Sequence, residues 1–370
     1  LLNDGWSLRG FDRETTTAAG TIIPAAALDD DAGWLPAEVP GDVHSTLLRH
    51  GLIEDPFYDT NAEKCRWVEE KVWWYRKEFV FDRTLNGDEI LELKFHGLDT
   101  FATVFLNGEQ LGAHANMFTP AVFEVTKKVK PGRNLLLVRF DPVVALTENQ
   151  DYSRMWYSYN RNRVWVRKCQ MNFRWDWCPR LITAGLWKDV VLQVYKQARI
   201  ESVFFYTENI SENRDRAAVG VTVETVAEKG LDLKLELILA WAEETVIQKR
   251  VACRDRCTTV KMAVDHPRLW WTHDLGAPNL YRLTVRLKAD EEVLDTYTTE
   301  VGIRTITVKQ KDDTGANRFT FVLNGVELFA KGANWVPAHS LPGTIKDETY
   351  IRWIATAQNC RMNMLRGWGG

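Results

Sequence analysis

Residues 173–179 read Phe-Arg-Trp-Asp-Trp-Cys-Pro, which sets one carboxylate between two indoles. A carboxylate can accept two sugar hydroxyls at once, while flanking rings cover the apolar C–H face of a pyranose. The competing reading is structural: Asp176 caps a turn ahead of Pro179, with Trp175 and Trp177 in the core. The surrounding segment, 152–180, holds eight aromatic and seven basic residues, and Asp176 is its only acid. Basic and aromatic residues interleaved in this way can stack single-stranded nucleic acid. The rest of the chain is not basic, so pairing with acids elsewhere and stacking on the aromatics is the expected use.

A second set lies near the C-terminal end. Lys331-Gly332-Ala333-Asn334-Trp335 falls at the end of an expected strand, and Arg366 and Trp368 at the end of the next. In a (β/α)8 barrel the C-terminal strand ends form the reactive face. Taken singly, Asn334 is also a good turn residue and Trp368 a good core anchor; two strand ends with tryptophan and polar groups together favour a site. The seven histidines show no HxH or HxxxH spacing, so no metal is expected. No GxSxG elbow and no phosphate-cradling GxxxxGK loop occurs, and no cofactor is expected.

The elements that must position these residues are mainly strands. Segments 72–81, 90–95, 100–106, 121–125, 134–140 and 189–195 are short, apolar or alternating, and separated by turn residues such as Asn107-Gly108, as in an antiparallel sandwich. One helix is expected at 42–50, with Asp42 as N-cap and Gly51 just past its end. The segment 152–180 is too long and polar for a strand and reads as a loop excursion. Seven further strands, at 200–207, 219–226, 231–242, 245–251, 258–264, 281–288 and 294–301, fit an immunoglobulin-like sandwich. Beyond 306 the pattern becomes hairpin (319–323 with 327–331), helix (346–357) and strand (362–365), the opening of a parallel β/α unit. The expected domains are therefore 1–197, 198–306 and 307–370.

Composition sets the outer bounds. The 370 residues carry a net charge of −3, with 45% hydrophobic and 26% charged residues, an ordinary globular mix. That balance argues against nucleic acid and against a membrane surface as partners. No basic segment followed by an apolar run opens the sequence, so a cytoplasmic location is the expectation. The six cysteines form no paired CxxC set and are expected to be reduced. Sixteen tryptophans are the unusual number, and raise carbohydrate binding above its base rate.

Motifs spread over the whole length resemble the β-mannosidases of glycoside hydrolase family 2. They include Val39-Pro40-Gly41-Asp42-Val43-His44, Asp55-Pro56-Phe57-Tyr58, Gly97-Leu98-Asp99-Thr100, Phe105-Leu106-Asn107-Gly108, Asn116-Met117-Phe118, the 173–179 segment, Gly185-Leu186-Trp187, residues 331–337, and Asn363-Met364-Leu365-Arg366 with Trp368-Gly369-Gly370. The resemblance implies a jelly-roll sugar-binding-like domain, an immunoglobulin-like sandwich, and the truncated start of a catalytic (β/α)8 barrel. It implies retaining exo-hydrolysis of terminal β-mannosides by two glutamates, acting on a carbohydrate substrate, with another β-glycosidase of the family (β-galactosidase, β-glucuronidase or exo-β-glucosaminidase) or a non-catalytic carbohydrate-binding protein as the alternative, and leaves a homodimer open. It carries substrate contacts over to Trp175, Asp176, Asn334, Trp335, Arg366 and Trp368. The family's acid/base glutamate follows an Asn well beyond the second barrel strand; this sequence has no Asn-Glu dipeptide. Both catalytic glutamates are therefore expected beyond Gly370, and the chain alone is expected to be inactive. Four positions depart from the family pattern: Arg174 and Cys178 stand where Gly is usual, Gly367 where an aliphatic residue is usual, and His339 where an acid is common.

Overall fold

The computed structural model describes residues 1–13 and 32–368. The described chain divides into two compact units: Leu1–Val194 with Val336–Arg352 and Gly367–Gly370, and Tyr195–Trp335 with Trp353–Arg366. It is mainly β throughout.

The first unit is a strand-rich sandwich. Its strands are β1 (Trp6–Phe11), β2 (Leu35–Ala37), β3 (Val72–Phe81), β4 (Glu89–Phe95), β5 (Leu98–Asp99), β6 (Ala102–Leu106), β7 (Glu109–His114), β8 (Ala121–Glu124), β9 (Gly132–Phe140), β10 (Phe173–Trp175), β11 (Cys178–Arg180), β12 (Gly185–Leu186) and β13 (Val190–Lys196). Six of them form one sheet in the order β2-β1-β3-β9-β6-β7, and three form another in the order β13-β4-β8. Tyr75, Leu91, Leu93, Phe95, Val104, Leu136 and Val138 all join one core cluster. The run Val72-Trp73-Trp74-Tyr75 is apolar without alternation because both faces are covered: Trp73 and Tyr75 join that cluster, and Val72 and Trp74 a smaller one with Phe105 and Leu137. The expected helix forms over Val43–Arg49. Asp42 accepts from the Ser45 amide at 2.9 Å and Ser45 Oγ accepts from the Asp42 amide at 3.2 Å, a reciprocal cap.

In the second unit, β14 (Ala198–Ile210), β15 (Arg216–Ala227) and β18 (Cys257–Asp265) form one sheet. The other is β17 (Glu244–Cys253), β16 (Leu233–Trp241), β19 (Tyr281–Ala289) and β20 (Glu292–Val301). All pairings are antiparallel, with Val219 opposite Met262 and Leu237 opposite Val285. Every second residue of β15 and β16 points into the core, as period-2 patterning requires. Leu233–Trp241 is a strand, as its alternation predicts, although its composition also suits a helix. The strands β21 (Ile306–Lys311), β22 (Asn317–Leu323) and β23 (Val326–Leu328) follow as an antiparallel sheet.

Beyond this, β24 (Gly332–Trp335), a helix over Asp347–Asn359 and β25 (Met364–Gly367) succeed one another, and β24 pairs with β25. One expectation is corrected here. The hairpin strand ends at Leu328, not 331, and residues 332–335 are themselves the strand, not its end. Gly332 allows this: a Cβ there would lie 1.9 Å from the Met364 carbonyl oxygen, so only a bare backbone fits beside β25. No closed barrel is present among the described residues. No helix among them is long and apolar enough to cross a membrane.

Candidate functional site

The 173–179 segment folds as a tight hairpin. Phe173 pairs with Arg180 and Trp175 with Cys178, leaving Asp176 and Trp177 as the two-residue tip. Its base is fixed on several sides. Phe173 is buried with Val143, Val166 and Ile182. Asn172 donates to the Ser340 carbonyl at 2.9 Å, and Cys178 Sγ lies 3.0 Å from Ser340 Oγ. Arg180 grips Glu69 through two nitrogens, at 2.5 and 3.1 Å. Asp176 at the tip is exposed, which overturns the reading of a buried turn cap. Its neighbour Trp175 is half-buried and touched on three sides: by Tyr159 at 5.9 Å between ring centroids, by Trp368 edge-on at 6.3 Å, and by the Arg163 guanidinium 4.8 Å above the ring.

The long segment that delivers this hairpin is anchored by a buried polar network. Lys168 is fully buried and donates to Asp99 and, at 2.7 Å, to Thr183 Oγ1, which donates to Asp99 at 2.6 Å. Asp42, His44 and Tyr75 are buried beside these groups. Burial pushes the Asp42 carboxyl up to about 6, against the pull of the Ser45 amide. Burial, with Lys168 nearby, holds the His44 imidazole down at about 3. Neither Lys168 nor Asp99 was legible as a partner from the sequence. Lys168 sits in a basic stretch, and its carboxylate comes from 69 residues away.

In the second unit, Asn334 Oδ1 accepts from Arg366 Nη1 at 3.0 Å, so these two predicted residues meet across β24 and β25. Trp335 packs edge-on against Trp353, at 5.7 Å. Asn363 staples the same strands: its side chain accepts from the Lys331 amide at 2.8 Å and donates to Asp274 at 2.8 Å. Thr272, Asn363 and Lys331 hold the Asp274 carboxyl down at about 2. The six predicted residues thus fall into two groups. Trp175, Asp176 and Trp368 belong to the first unit; Asn334, Trp335 and Arg366 belong to the second. Tyr159, Arg163 and Trp353 were missed as ring partners. Tyr159 and Arg163 carry no sequence signal beyond membership of the aromatic and basic segment 152–180, and Trp353 none beyond its place in the expected helix 346–357. No group of three or more His, Cys, Asp or Glu among the described residues is arranged to hold a metal.

Two family models match the chain in succession. Residues 10–188 match the glycosyl hydrolase 2 galactose-binding domain-like model, and residues 198–304 the glycosyl hydrolases family 2 model. The chain belongs to glycoside hydrolase family 2. The family 2 chain is 32% identical over 365 residues to β-mannosidase B of Aspergillus terreus, covering 96% of this chain and 43% of that protein. It is 34% identical over 380 residues to β-mannosidase B of Emericella nidulans, covering 100% and 43%. It superposes on the crystal structure of β-D-mannosidase from Dictyoglomus thermophilum with a TM-score of 0.86 at 31% identity, over 99% of this chain and 44% of that one. The exo-chitosanase of Amycolatopsis orientalis, at 18% identity and a TM-score of 0.70, covering 100% of this chain and 40% of that one, shares the fold. The chain spans less than half the length of the relatives it matches.

Proposed function

We propose that this chain is part of a retaining exo-acting glycoside hydrolase that removes terminal β-mannose from oligosaccharides or glycoconjugates. The observation that carries the reading is the exposed Asp176 at the tip of a hairpin whose base is held by buried contacts, beside the Trp175–Trp368 pair. It stands in a chain about one third identical to β-mannosidases along nearly its whole length. A charged acceptor at a fixed position can hold two neighbouring hydroxyls, and the indoles can cover the apolar ring face. Residues 307–370 serve in this reading as the opening of the (β/α)8 barrel, following a sugar-binding-like domain at 1–197 and an immunoglobulin-like domain at 198–306.

The chemistry would be displacement by one glutamate and proton transfer by a second, the two carboxyls about 5 Å apart. This chain supplies neither. Its part is to bind and orient the sugar, and alone it turns over nothing. The test compares the longer polypeptide that carries this chain with the 370-residue chain, on aryl β-mannoside, β-galactoside, β-glucuronide and β-glucosaminide. The expected result is β-mannoside turnover by the longer protein only. A preference for another of the four glycosides, or equal turnover by the chain alone, overturns the proposal.

A further inference from the structure

A cavity of about 600 Å³ opens beside the hairpin, within the first unit. That size suits a small ligand. One wall is the hairpin itself, from Phe173 to Arg180. Residues between Asp59 and Arg66, with Tyr159 and Asn160, line the rest of it. The walls are held at a set distance by the Arg180–Glu69 ion pair, which ties β11 to the helical turn that carries Arg66. Such a preformed site spends little binding energy on ordering itself.

The charges lining it are unusual in their arrangement. Asp59, Glu63 and Asp176 bring carboxylates, and Arg66 and Arg174 bring guanidinium groups. No side-chain hydrogen bond or ion pair among the described residues engages any of these five. Opposite charges thus share one cavity without neutralising each other. The lining mixes three carboxylates with two guanidinium groups, so neither an anion nor a cation meets a set of one sign. A sugar hydroxyl is both donor and acceptor, and is served by carboxylates that only accept and guanidinium groups that only donate. Tyr159 and Trp175 add aromatic faces for C–H surfaces. Arg174 also holds a backbone φ of +88°, in the region that favours glycine. Strain of this kind persists where the surroundings impose it and clusters at ligand sites.

We propose that this cavity, which shares Trp175 and Asp176 with the terminal-sugar site, extends that site to take a neutral pyranose next to the terminal residue. Glu63 and Arg66 contact its hydroxyls. The inference deepens the glycosidase reading and rests on it for the choice of sugar. The test titrates β-1,4-mannobiose into the 370-residue chain by calorimetry, with Glu63→Gln and Arg66→Ala compared. Both residues are exposed, and the folding of each variant is checked by its thermal transition. The wild-type chain is expected to bind, and each variant to raise Kd about tenfold, the effect of losing one charge-assisted hydrogen bond. No binding by the wild-type chain, or an unchanged Kd in both folded variants, overturns the site. Tighter binding of mannose 6-phosphate than of mannose overturns the assignment to a neutral sugar. If the longer protein fails to hydrolyse β-mannosides while the chain binds mannobiose through Glu63 and Arg66, only the hydrolytic reading falls. If it hydrolyses them and Kd is unmoved, only this site falls.

Discussion

The interiors of the two units are built on different principles. The immunoglobulin-like unit is filled by Val219, Val221, Val223, Leu235, Leu237, Leu239, Leu283, Val285 and Leu287, an aliphatic cluster read out by alternation along each strand. Its buried carboxylate, Glu236, meets Arg250 and Arg286, both of which reach solvent. The sandwich unit has an aliphatic and aromatic core too, but beside it lie Asp42, His44, Asp99, Lys168, Asn172 and Thr183, all buried. A non-directional apolar core tolerates small rearrangements. A buried charge with fixed hydrogen-bond partners does not, and it fixes the segment that carries it. The network sits in the unit that must hold a long irregular segment still, with the Trp175–Asp176 tip at its far end.

The largest expected effect tests this contrast directly. Lys168→Met removes a fully buried cation and leaves Asp99 uncompensated, and should cost about 3–5 kcal/mol. Leu237→Met, a volume-conserving change in the other core, should cost less than about 1.5 kcal/mol. Denaturant unfolding of both variants measures the difference; equal losses would erase the distinction between the two interiors.

A smaller effect sharpens it through pH. The folded carboxyl of Asp42 titrates near 6 against an ordinary 3.8, so the folded state holds its proton more tightly than the unfolded chain. The stability it contributes is complete below the unfolded value and is lost as pH rises through the folded one. Moving the carboxyl from 3.8 to about 6 corresponds to about 3 kcal/mol. Asp42→Asn retains the acceptor for Ser45 and removes the titration. Its stability advantage over the wild type should therefore grow by about 3 kcal/mol from acid pH to neutrality. His44 acts in the opposite sense, because its imidazole is depressed to about 3 and its contribution is lost as pH falls from 6.5 toward that value. It is present in both proteins and drops out of the comparison. A pH-independent difference in urea midpoint would show that Asp42 is not buried as a charge.

The smallest structural effect belongs to the tip. Asp176 is exposed and makes no side-chain hydrogen bond among the described residues, so Asp176→Ala should change stability by no more than about 0.5 kcal/mol. The same substitution should lower kcat/KM of the longer protein on β-mannosides at least about tenfold, the loss of a charged hydrogen bond. A large loss of stability with unchanged kinetics would assign Asp176 to the scaffold.

Local patterning made the second unit readable. All seven immunoglobulin-like strands follow from period-2 alternation and turn residues, and Asp42 followed by Gly51 marks both ends of the first helix. Alternation is a property of neighbouring residues, and burial on one face of a sheet leaves its record in them. Candidate site residues were legible only as residue types in motifs: Trp175, Asp176, Asn334, Trp335, Arg366 and Trp368 could be named as candidates, and motif order pointed to the family. Tertiary structure alone decided which of them meet. The edge contact of Trp175 with Trp368 joins residues 193 positions apart, and Lys168 reaches Asp99, 69 positions away, from a segment without periodicity. It also decided that residues 332–335 form a strand, because the space beside Met364 admits only a glycine backbone. Contacts between distant segments depend on how the chain packs in three dimensions, and the local sequence pattern carries no trace of it.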